Sequence, residues 1–151
     1  MLDYNVVYAD KNASKRDYKH LEEDEILVFS MFFTLQGEGP YMGQPSVFVR
    51  TAGCNLGNKK NTCPWCDTDF RLHLGERMTF EQIYNRVLEM FRENLTEEAY
   101  QRVERPLVVL TGGEPMLQDA LGRFTIEYDD RLQFQIESNG TVYTDIGAKT
   151  T

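Results

Sequence analysis

The 151-residue chain has no stretch of 18 or more apolar residues, so it has no segment of the length a membrane-crossing helix needs. Its first 25 residues are charged and polar and lack the apolar core of a secretory signal. Internal repeats, Pro- or Ser-rich linkers and low-complexity tracts are also missing, which leaves one domain as the simplest organisation. Basic residues are in deficit: 16 Lys and Arg stand against 24 Asp and Glu, for a net charge of −8. Proteins that grip a phosphate backbone need clustered Lys and Arg, so the balance argues against direct nucleic-acid binding and for a small ligand. Cysteine is scarce, with 3 in the whole chain, and an odd count does not make a disulfide framework. These absences together predict a cytoplasmic protein with reduced thiols and no membrane partner. What is present in quantity is apolar side chain, 41% of residues, enough to build a core at this length.

The scarce cysteines are concentrated. Cys54, Cys63 and Cys66 lie in one loop, the last two as a C-x2-C pair, and in a reducing compartment such a cluster is more often a metal site than a cross-link. A structural zinc site takes four protein ligands, and iron-sulfur clusters are normally held by four thiolates. Three thiols leave one position to fill. His73 could complete a zinc site, although it stands seven residues beyond the last thiol, outside tight finger spacing. Otherwise an iron-sulfur cubane would carry one iron open to an exogenous chelating ligand, in an enzyme or in a binding remnant without turnover. Zinc leaves two glycine-flanked acidic motifs, Gln36-Gly37-Glu38-Gly39 and Gly112-Gly113-Glu114, without a purpose.

Residues 1–25 mix charges without apolar periodicity and read as a polar leader to a core over residues 26–151. The apolar run Ile26–Phe33 has strand length and composition and ends at Gln36-Gly37-Glu38-Gly39-Pro40. Ser46–Arg50 reads as a buried strand that delivers Arg50 at its end, where a guanidinium can take a carboxylate bidentately. Thr79 and Gln82 have the spacing of a capping box, and Phe80, Ile83, Tyr84, Val87, Leu88 and Phe91 recur at helical spacing, which predicts an amphipathic helix against a sheet. A shorter helix over Thr96–Glu104 is closed by Pro106. Leu107–Leu110 is an unbroken apolar run suited to a parallel strand buried on both faces, Met116–Leu121 suits one or two helical turns, and Leu132–Ile136 alternates like a strand. Strand, loop, helix, strand in repetition predicts βα units, a parallel sheet and a ligand at the carboxyl ends of its strands.

Four polar loops follow those strands: Gln36–Gly39, Cys54–Thr68, Thr111–Glu114 and Glu137–Thr141. Cys54, Cys63 and Cys66 followed by Asp67-Thr68, with Thr111-Gly112-Gly113-Glu114-Pro115 after a buried strand, resemble the radical S-adenosylmethionine (SAM) superfamily. Thr34-Leu35-Gln36-Gly37-Glu38-Gly39, Arg50 and Glu137-Ser138-Asn139-Gly140-Thr141 narrow the resemblance to 7-carboxy-7-deazaguanine synthase, over about Phe29 to Thr141. The resemblance implies an α/β partial (β/α) barrel with a parallel sheet, incomplete at its C-terminal side. The interval of eight residues between Cys54 and Cys63 is longer than the superfamily's usual three, but loop closure entropy grows slowly with length.

The resemblance also implies roles. Cys54, Cys63 and Cys66 would hold a [4Fe-4S] cluster whose fourth iron is chelated by SAM, with Gly112, Gly113 and Glu114 at the SAM amino group and Trp65, Asp67, Glu137, Ser138 and Asn139 around the rest of it. Reductive cleavage of SAM would give a 5′-deoxyadenosyl radical, which in that family takes a hydrogen from 6-carboxy-5,6,7,8-tetrahydropterin. The ring then contracts with loss of ammonia to 7-carboxy-7-deazaguanine, the 7-deazapurine core of queuosine-type nucleosides. Leu35, Gln36, Gly37, Glu38 and Thr111 would hold the pterin, Arg50 would pair with its carboxylate, and Thr68 would offer a hydroxyl to Mg²⁺. A homodimer and a flavodoxin-type electron donor complete what the resemblance implies.

Overall fold

The computed structural model describes residues 13–56, 63, 66, 70–147 and 149–151. Its frame is a five-stranded sheet of order β3-β1-β2-β4-β5. The long apolar run becomes β1 (Glu25–Leu35), and β2 is Pro45–Thr51. Only Gln36 to Gln44 join them, closed by Gln36 N donating to Gln44 O at 2.8 Å and Gly43 N to Gln36 O at 2.7 Å. A connection that short cannot make the crossover a parallel pair needs, so β1 and β2 are antiparallel. β3 (Glu76–Thr79) adds antiparallel to the first four residues of β1. The expected parallel order holds for the other half: β2, β4 (Leu107–Gly112) and β5 (Gln133–Ile136) run parallel. The sheet is therefore mixed rather than parallel throughout.

Helices cover one face. α1 (Phe80–Asn94) starts as its sequence predicts: the Thr79 side chain accepts from Gln82 N at 3.2 Å, and Gln82 Oε1 accepts from Thr79 N at 2.8 Å. The short α2 (Glu97–Gln101) is capped by Thr96, and α3 (Asp119–Glu127) follows a 3₁₀ turn, Pro115–Leu117. Ile83, Val87 and Phe91 of α1 and Leu121 and Phe124 of α3 pack on Ile26, Val47, Val49, Val108, Leu110 and Phe134 in one core. Strand alternation puts these side chains on the helix face, leaving Phe32, Phe48, Arg50, Val109, Thr111 and Gln135 for the other.

Residues 13–25, expected as part of the polar leader, are attached where they are described. Ala13 and Tyr18 are buried in a second apolar cluster with Leu27, Ala52 and Leu117, and the Tyr18 hydroxyl donates to Ala52 O at 2.8 Å. Among the described residues no helix is long and apolar enough to cross a membrane.

Candidate functional site

β2, β4 and β5 end side by side. Arg50 is in register with Thr111, and Thr51 with Gly112. Beyond these ends lies a cavity of about 670 Å³ lined by Glu38, Phe48, Arg50, Cys63, Cys66, Thr111, Gly112, Gly113, Ile136, Glu137, Ser138 and Asn139. Ten of those twelve are residues singled out from the sequence, so three of the four polar loops and the C-x2-C pair meet at one place. Phe48 and Ile136 were missed. Phe48 could have been found from strand alternation, since it shares a face with Arg50 two residues on. A second cavity, of about 400 Å³, lies at the opposite ends of the same strands, between Pro45, Leu107, Gln133 and Arg105.

The remaining expected site residues stand differently. Leu35 is 60% exposed, whereas Gln36 is buried at 2%. The Gln36 amide turns inward: Oε1 accepts from Gly37 N at 2.7 Å, and Nε2 donates to Glu137 Oε1 at 3.2 Å. Trp65, Asp67 and Thr68 lie outside the described residues.

Glu114 sits beneath the cavity rather than in it. Its side chain is fully buried. One carboxylate oxygen accepts from Met116 N and Ser138 Oγ, both at 2.9 Å, and the other from Asn139 N at 2.7 Å. The carboxylate therefore ties the loop after β4 to the loop after β5, and the face of this motif open to a ligand is that of Gly112 and Gly113. Gly113 has a steric reason to be glycine, because a Cβ there would stand 2.1 Å from Gly53 O. Sequence spacing could not reveal the Glu114 role, since its partners are two loops apart. Asn55, beside the first cysteine, joins the same assembly: its Oδ1 accepts from Asn139 Nδ2 at 2.9 Å and its Nδ2 donates to Thr141 Oγ1 at 2.6 Å.

The first cysteine is held by its backbone. Cys54 O accepts from Ala13 N at 3.0 Å, while Gly53 bonds to Phe70 O through its N–H at 2.6 Å and to Glu114 N through its carbonyl at 2.8 Å. Burial pushes the Cys54 thiol up, opposed by the Leu56 N–H, with Glu114, Cys66 and Cys63 adding to the rise. The thiolate is thus unfavourable until a cation arrives to balance it. Cys63 and Cys66 are exposed, and Cys66 N donates to Cys63 O at 3.0 Å.

Arg50 supplies positive charge to the cavity. Its guanidinium lies over the Phe32 ring, 5.0 Å from the centroid, and Phe32 stacks in turn on Phe48 at 5.3 Å. It forms no ion pair among the described residues. A guanidinium fixed by its flat face and free at its edge can meet a carboxylate.

No family model matches the chain. Curated relatives do: 7-carboxy-7-deazaguanine synthase of Rhodospirillum rubrum is 41% identical over 123 residues, covering 82% of this chain and 46% of that protein. The synthase of Rickettsia prowazekii is 37% identical over 129 residues, 85% of this chain and 50% of its own length. The crystal structure of QueE from Escherichia coli superposes with a TM-score of 0.61 at 26% identity, over 83% of this chain and 57% of that one. The chain belongs to the 7-carboxy-7-deazaguanine synthase family. It spans about half the length of the curated synthases it matches. The mixed open sheet is the fold of the E. coli protein over the shared region.

Cys63 and Cys66 line the cavity, and Cys54 is near enough to both for their charges to raise its thiol. Three soft sulfur donors are a set that an iron-sulfur cluster can take.

Proposed function

We propose that this chain forms the cluster-binding and pterin-binding part of a 7-carboxy-7-deazaguanine synthase, acting on 6-carboxy-5,6,7,8-tetrahydropterin. The observation that carries the reading is Arg50, which shares one cavity with Cys63 and Cys66 and has no carboxylate partner among the described residues. In this reading Arg50 takes the substrate carboxylate, with Thr111 and Glu38 beside the ring, while Gln36 and Gly37 shape the turn that carries Glu38. Cys54, Cys63 and Cys66 would hold a [4Fe-4S] cluster, and SAM would lie along Gly112, Gly113, Ser138 and Asn139. When bound, this pair of cofactors supplies the one-electron chemistry that starts hydrogen abstraction, and the protein's part is to orient and shield. Thr68 would meet Mg²⁺, an ion that keeps few protein ligands. A cytoplasmic homodimer served by a flavodoxin-type donor is the expected setting.

The test is anaerobic reconstitution of the chain with iron and sulfide, then incubation with SAM, a low-potential reductant and the carboxytetrahydropterin, following 5′-deoxyadenosine and 7-carboxy-7-deazaguanine by mass. Brown protein that makes both products is expected. A colourless chain that retains one zinc and makes neither overturns the reading.

A further inference from the structure

The turn that carries Glu38 rests at two points, one in β5 and one just past its end, and the one in β5 has no part in the roles above. Gly39 has φ +73°, and a Cβ on it would stand 2.8 Å from Gln135 Nε2 and 3.3 Å from both Cδ and Oε1. The Gln135 amide is therefore packed flat against the Gly39 backbone. Gln135 is itself 5% exposed, and its Oε1 is fully buried without a hydrogen-bond donor among the described residues. Buried acceptors without donors are uncommon and costly, and each calls for an explanation. The other point of support is two residues on, where Glu137 receives the Gln36 amide that also gathers Gly37 N and Glu38 N, the latter at 3.4 Å. Gln135 in β5 and Glu137 just past its end are thus two supports, with Glu38 suspended between them at the cavity wall.

We propose that Gln135 is a positioning residue: its bulk sets the height of the Gln36–Gly39 turn above β5, and so the place of Glu38 against a bound ligand. Its amide polarity has no share in this, which is why an acceptor can be left unpartnered. The identity of the ligand rests on the synthase reading above; the mechanical role does not.

A double-mutant cycle of Gly39→Ala and Gln135→Ala tests it, read by the thermal midpoint of the metal-free chain and by the dissociation constant for 6-carboxytetrahydropterin on reconstituted chain. Gly39→Ala should lower Tm by about 4 °C or more and weaken binding at least about tenfold. In the Gln135→Ala background the clash with the amide is relieved and only the strain of a Cβ at φ +73° remains, so the same change should cost measurably less in Tm and less than about threefold in affinity. Equal costs in both backgrounds overturn the proposal. Gln135→Met keeps the volume and removes the amide; binding within about twofold of wild type, with a raised Tm, is expected. A loss of about tenfold in binding by Gln135→Met would instead make Oε1 a ligand contact and overturn it. Should Gly39→Ala fail to fold, amide exchange at Gly37 and Glu38 decides: Gln135→Ala should speed it about tenfold, and unchanged exchange overturns the proposal. If wild type binds no pterin, the synthase reading falls, while the Tm cycle and the exchange rates still judge Gln135.

Discussion

The two faces of the sheet are built from the same strands by opposite rules. On the helix face, Val47, Val49, Val108, Leu110 and Phe134 meet Ile83, Phe91, Leu121 and Phe124 without a polar atom needing a partner. On the other, Phe32, Phe48 and Arg50 form a short stack that ends at an open cavity, and a buried glutamine keeps an unsatisfied oxygen. Alternation along a strand lets one element serve both purposes at once. Stability is concentrated on the first face and the candidate site lies on the second, and the comparison can be broken by a residue that moves the wrong property.

The largest separation is expected from Cys54→Ala. Reconstituted iron and 5′-deoxyadenosine formation should both be lost, while the metal-free chain melts close to wild type; full iron content in the variant would remove Cys54 from the ligand set. Phe124→Ala should do the reverse, since emptying a fully buried ring site in the core costs about 3–5 kcal/mol and lowers the urea midpoint while leaving the cavity's side chains in place. A chain that still folds should still take up iron. Glu114→Gln crosses the divide. The buried carboxylate accepts three hydrogen bonds, and the amide nitrogen cannot accept from a backbone N–H. A loss of about 1–3 kcal/mol is expected in the metal-free chain. If that chain is unchanged and only SAM binding weakens, Glu114 grips the ligand and does not join the loops.

The smallest effect concerns the edge of the fold. The Lys15 ammonium, bonded to Asp119, holds that carboxyl below its ordinary 3.8. A depressed carboxyl contributes stability that is present above its unfolded value and lost as pH falls through its folded one. Both side chains are substantially exposed, so Lys15→Ala should cost no more than about 0.5 kcal/mol at pH 7 and nothing below the folded value. A cost that persists at pH 2 would mean that the Lys15 bonds to Tyr143 O and Thr144 Oγ1 dominate.

Local signals were the legible part of this chain. The Thr79–Gln82 box, the helical spacing after it and the apolar run at Leu107 predicted elements that are present, because each rests on residues a few positions apart. Strand β3, Glu-Arg-Met-Thr, carries no alternation to read, and it exists because the open edge of β1 offers it four partners. The helix at Met116–Leu121 runs instead from Asp119 to Glu127, since Gly122 and Thr125 weaken the helical pattern while their burial favours the helix. Strand direction was missed for β1 because a strand reads the same either way, and the decisive fact is the length of the connection. In the cavity, residue types pointed to a common place for Arg50, Thr111 and Glu137. They did not say that Gln36 and Glu114 would turn inward, which depends on hydrogen bonds spanning 101 and 25 positions.

Among the described residues the cavity wall carries two carboxylates, Glu38 and Glu137, against one guanidinium, that of Arg50, on a molecule of net charge −8. Long-range forces and close contact therefore act in opposite senses. At low ionic strength the field slows the approach of a carboxylate-bearing ligand and hastens that of a sulfonium-bearing one, even where the docked carboxylate is well received. Low salt thus favours an order of encounter in which the cation comes first, and added salt should bring the two arrival rates together.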